Sequence, residues 1–124
     1  MTVTTKTLVP YTVWGTPSEN YDGLSTVING TLVEASSHYF SVAGGLQTVW
    51  LATENFVGSI AIQGTLVREP VEADWTTLYS VGDDAQSPLS ETETTNVTGN
   101  FVWLRAKVSN FQAGTITEAR LSYV

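Results

Sequence analysis

The chain has 124 residues, a net charge of −7, no cysteine, one histidine and 42% hydrophobic residues. That length suits one domain with a real core, and the composition excludes a disordered chain, disulfides and Cys-based zinc sites. Only Lys6, Arg68, Arg105, Lys107 and Arg120 are basic, which is too few for sequence-independent nucleic-acid binding.

No run approaches the roughly 20 apolar residues that a membrane helix needs. No basic segment precedes an apolar run near Met1. A soluble protein with no secretion signal and no membrane partner is therefore expected.

Strand-like runs recur along the chain, separated by Gly, Pro, Asn and Asp clusters. Thr2–Val9 is rich in Thr and Val and stops at Pro10, and Tyr11–Trp14 is a second short run. Residues 1–10 read either as an extended N-terminal arm or as the first strand of the body formed by 11–124. In the arm reading, Val3, Leu8 and Val9 are candidate contacts to a partner, since so short a segment cannot build its own core. Gly15–Gly23 reads as a loop with Pro17 and Asp22-Gly23 as turn residues. Asn29-Gly30, flanked by Val27-Ile28 and Thr31-Leu32-Val33, predicts a type I′ hairpin.

Tyr39–Val42 and Gln47–Ala52 are the next expected strands, joined through Ala43-Gly44-Gly45. Ser59–Leu66 alternates, with Ile60, Ile62 and Leu66 on one face. Gly64 on that face leaves room for a bulky neighbour or marks a bulge. Trp75–Val81 is a further strand, and Val81–Asn96 reads as a long polar loop. Phe101–Val108 sets Val102, Leu104, Ala106 and Val108 against Phe101, Trp103, Arg105 and Lys107. Thr115–Val124 sets Ala119, Leu121 and Tyr123 against Glu118, Arg120 and Ser122. The sum is an all-β fold, an antiparallel β-sandwich (jelly-roll-like) of about eight or nine strands with little or no helix.

The catalytic inventory is thin, and no enzyme, cofactor or metal site is expected. His38 is the only histidine, so a multi-His metal site cannot form within one chain. Its neighbours Ser36, Ser37 and Ser41 sit in no G-x-S-x-G elbow, and no phosphate-binding glycine motif occurs. Seven of the twelve acids lie between Glu69 and Glu93 without an intervening cation, which reads as a solvated surface rather than a catalytic pair. Asp83 and Asp84 lack the spacing of a calcium loop. Asn29-Gly30-Thr31 and Asn96-Val97-Thr98 match the glycosylation sequon without a signal peptide to place them in a secretory pathway. Among the four tryptophans, strand parity leaves Trp50 and Trp103 as candidate aromatic contacts for a glycan.

Two segments carry a family resemblance. Phe56-Val57-Gly58-Ser59-Ile60-Ala61-Ile62-Gln63-Gly64-Thr65-Leu66, followed by Pro70 and Ala73-Asp74-Trp75, resembles a pattern in small β-rich virion proteins of tailed bacteriophages. So does Gly99-Asn100-Phe101-Val102-Trp103-Leu104-Arg105-Ala106-Lys107-Val108, with Gly114-Thr115-Ile116 and the closing strand ending at Tyr123. The resemblance covers roughly the C-terminal half and implies a structural virion protein assembled in the host cytoplasm, with no catalytic residues. The first expectation is a capsid decoration (cement) protein bound to the major capsid protein or other virion proteins, as a homo-oligomer with a trimer favoured. The alternative is a carbohydrate-binding module on a tail or fibre that contacts host glycans. A neck or tail adaptor is the third.

Overall fold

The computed structural model describes residues 4–34, 46–82, 88–99 and 101–123. The expected strand at Tyr39–Val42, its Gly44-Gly45 link, and Val3, His38, Asp83 and Asp84 all lie outside the described residues.

Among the described residues eight strands form one antiparallel sheet: β1 (Thr4–Val9), β2 (Thr12–Val13), β3 (Ile28–Asn29), β4 (Val33–Glu34), β5 (Leu46–Thr65), β6 (Thr76–Gly82), β7 (Thr92–Thr98) and β8 (Trp103–Tyr123). The fold is all-β and sandwich-like, and the one helical element among the described residues is a 3₁₀ turn at Glu72–Asp74.

Two very long strands, β5 and β8, run antiparallel from Thr48↔Ser122 to Thr65↔Trp103. Each fuses two of the runs expected from the sequence. One end of this pair is flanked by β7 on β5 and by β1 and β2 on β8. The other end is flanked by β6 on β5 and by β3 and β4 on β8.

What joins the two ends is a change of side-chain parity. Along β5 the side chains that are 2% exposed or less and face inward include Gln47, Val49 and Leu51 at odd positions, then Phe56, Ile60 and Ile62 at even ones. Along β8 they include Leu104, Ala106 and Val108 at even positions, then Ala119 and Leu121 at odd ones. A regular strand cannot switch parity, so extra residues must be inserted. The register slips between Ala52 and Thr53, and twice more before Ser59. Asn55 and Asn110 take positive φ (51° and 53°) within this irregular stretch, and Gly114 takes 91° where any Cβ would run into the Asn55 carbonyl. Both sets of inward side chains then meet in one core. Phe111 fills its centre, with ring centroids 5.3 Å from Tyr21 and 5.5 Å from Phe56.

Four expectations are corrected. Asn29-Gly30 does not turn a hairpin: Ile28 pairs with Val108 and Val33 with Leu104, so β3 and β4 both lie on β8. Gly30 lacks positive φ, and its amide donates to the Ala106 carbonyl (2.8 Å) while the Thr31 amide donates to that of Leu8 (2.9 Å). Any Cβ on Gly30 would sit 2.6 and 2.7 Å from those two oxygens, so the glycine serves close backbone approach. Second, the polar stretch Val81–Asn96 is not all loop, because β7 pairs residue by residue with Leu46–Ala52. Third, Leu66 is 72% exposed and leaves the face of Ile60 and Ile62. Fourth, Leu8 and Val9 are completely buried in the chain's own core, since Thr4–Val9 is the first strand of the sheet. They offer a partner nothing. Gly64 does make room for a bulky neighbour, the Phe101 ring.

Candidate functional site

The outer faces of the two ends of the β5–β8 pair differ. Over the Gln63–Arg105–Lys107 end lies the segment 66–75, held by several side chains. Arg105, only 4% exposed, donates from Nε to Gln63 (2.9 Å) and from its guanidinium to Glu72 (2.7 Å). Its guanidinium carbon lies 4.2 Å from the centre of the Trp75 ring. Lys107 donates to the same Glu72 oxygen (2.8 Å). These two donors, Arg105 first, hold the Glu72 carboxyl below the usual carboxylate range. Asp74 accepts from the Val71 amide (2.8 Å) while its own amide donates to the Val71 carbonyl (3.0 Å), which locks the 3₁₀ turn.

Trp103 belongs to this clamp. Its indole N–H donates to the Arg68 carbonyl (2.8 Å), so its role is to hold the segment down. The clamped segment presents Leu66, Val67 and Val71 outward, with Leu66 and Val71 72% and 65% exposed.

The other outer face carries no such cover among the described residues. Here Trp50 stands between its register partners Arg120 on β8 and Thr94 on β7. The Arg120 guanidinium carbon lies 4.9 Å from the centre of the Trp50 ring. Arg120 pairs in turn with Glu118, which also accepts from the Thr7 hydroxyl (2.9 Å). The Arg120 ion pair is the main cause of the lowered Glu118 pKa. Trp50 and, two residues further along β5, the small Ala52 line an open concavity of about 460 Å³. Thr53, Glu54, Ser90, Glu91, Thr92 and Thr117 complete its lining. Hydrogen bonding to Glu93 pushes the Glu91 carboxyl above its usual range.

Of the two tryptophans singled out by parity, Trp50 lines this concavity and Trp103 does not. Strand parity pointed Trp50 outward correctly. It gave no sign of Glu91, Thr92 and Thr117, which come from strands and loops far away in sequence. Among the described residues no cluster of three or more His, Asp or Glu side chains is placed to hold a metal ion. Among the same residues no helix is long and apolar enough to cross a membrane. Comparison of the chain with family models, with curated proteins and with solved structures finds no match.

Proposed function

We propose that the protein is a non-catalytic structural component of a tailed-phage virion, and within that class a capsid decoration (cement) protein docked on the coat shell. The observation that carries the reading is the clamped segment 66–75. Exposed Leu66, Val67 and Val71 sit together in sequence on a base fixed by Arg105, Trp75 and Trp103. Exposed apolar side chains on a rigid support suit docking, because little conformational entropy is lost on contact. The net charge of −7 keeps such a protein soluble before assembly and away from packaged nucleic acid. A trimer would multiply a modest contact into firm attachment.

Mass-spectrometric stoichiometry of purified particles tests this reading. A copy number matching the coat lattice supports it, whereas a handful per particle moves the protein to the neck or tail. In parallel, Leu66→Asp and Val71→Asp are expected to leave melting unchanged and to abolish binding to undecorated particles. Full decoration by both variants sinks the docking segment.

A second reading, a carbohydrate-binding module on a tail or fibre, draws support from the concavity beside Trp50.

A further inference from the structure

We propose that the concavity walled by Trp50 binds a neutral saccharide, one sugar ring stacking on the indole while its hydroxyls bond to Glu54, Glu91 and Thr92. The proposal rests on the second reading above and specifies its site and ligand class.

Three observations carry it. First, the indole is held in place. Arg120 lies over one face, Glu118 holds Arg120, and Thr7 holds Glu118. A ring fixed in this way loses little freedom when a ligand arrives, and a stacked ligand must take the face opposite Arg120. Second, the concavity, at about 460 Å³, falls within the range of about 300–1,000 Å³ typical of small-molecule sites, and Ala52 adds an apolar methyl group to its lining. Third, the remaining walls are hydrogen-bonding groups. Glu54 and Glu91 offer carboxyl oxygens, the latter bonded also to Glu93, while Ser90, Thr92 and Thr117 offer hydroxyls that donate or accept. An apolar ring beside such groups matches a sugar, which has a C–H face and a rim of hydroxyls.

Charge selects the subclass. No lysine or arginine is among the lining residues, and two carboxylates are. A sialic or uronic acid would be repelled, so the ligand is uncharged.

The test is a glycan array followed by titration calorimetry with the best neutral oligosaccharide on the intact protein. Expected are binding to neutral glycans, a loss of about tenfold or more for Trp50→Ala, and milder loss for Trp50→Phe. Thr92→Trp, which fills the concavity from β7 and leaves Trp50 in place, is expected to abolish binding with an unchanged circular-dichroism spectrum. Neutral-glycan binding that survives both Trp50→Ala and Thr92→Trp overturns this site and leaves the carbohydrate-binding reading standing. Binding confined to acidic or amine-bearing sugars overturns the ligand class. No glycan binding at all overturns both, and the particle-docking reading then rests on its own stoichiometry test.

Discussion

Arg105 and Trp75 form a stack, guanidinium over indole at 4.2 Å, that fastens the segment 66–75 to the outer face of β8. Glu72 at the rim is more than half exposed, so its ion pair with Arg105 contributes little by itself. The stack and the bond to Gln63 are shielded and matter more. Arg105→Ala is expected to cost about 2 kcal/mol and to expose residues 66–75 to protease. Limited proteolysis checks this. Wild-type resistance in the variant would contradict the clamp.

Leu104 and Leu66 form a pair of controls for the register. Leu104 is fully buried and its truncation to Ala is expected to cost about 2–5 kcal/mol in urea denaturation. Leu66→Ala is expected to change stability by less than about 0.5 kcal/mol. Similar costs for the two would mean that the face assignment past Thr65 is wrong.

Deleting residues 2–9 separates a strand from an arm. The segment supplies Leu8 and Val9 to the core and a ladder along Ala119–Tyr123. Its removal is expected to unfold the protein or lower its melting temperature sharply. A truncated protein that melts like wild type would restore the arm.

Gly30→Ala tests close approach against turn formation. The added methyl group must push on the carbonyl oxygens of Ala106 and Leu8, both backbone, and neither yields easily. A loss of about 1–3 kcal/mol is expected, in the range for overpacking. Thermal melts of the variant provide the measurement, and a neutral result would argue that the β1 and β8 backbones are farther apart.

Asp22 predicts an acid-labile loop. Its carboxylate accepts from the amides of Leu24 (2.8 Å) and Ser25 (2.7 Å) and from the Ser25 hydroxyl (2.7 Å). These bonds, the Ser25 hydroxyl first, lower its pKa from 3.8 to about 2. A depressed carboxyl pKa adds stability that is present above 3.8 and lost as the pH falls through about 2. A carboxyl NMR titration is expected to place the Asp22 midpoint near the lower value, and Ser25→Ala to raise it. A midpoint near the ordinary value would mean that these bonds are absent in solution.

How far the sequence foretold this molecule depended on which interaction dominated locally. Ile60, Ile62, Leu104, Ala106 and Val108 alternate because one face of each strand is buried, so their strands and inward faces were legible. β7 was not, because its sole buried side chain is Val97 and an edge strand polar on both faces has no period to detect. Asn29-Gly30 misled for the opposite reason. A strong local turn signal was overridden by pairing with β8, which uses the glycine for its missing Cβ. The fusion of four runs into β5 and β8 was hidden because register shifts interrupt the alternation midway along the pair. At the candidate site, Trp50 was legible from parity, while Glu91 and Thr117 reach it only through β7 and β8 pairing.

The order in which the strands leave the ribosome now acquires meaning. Among the described residues, β1, β2, β3 and β4 have ladder partners only on β8, which follows the other seven strands in sequence. Every β5–β8 rung also closes a loop that contains β6 and β7. Until β8 emerges, the ladders open to these strands are those of β6 and β7 on β5, and the four leading strands lack their β8 partner. Loops of that length form late and slowly. Completion of the sheet therefore waits for β8, and the Thr-rich β1, with only Leu8 and Val9 apolar, offers other chains little to associate with during the wait.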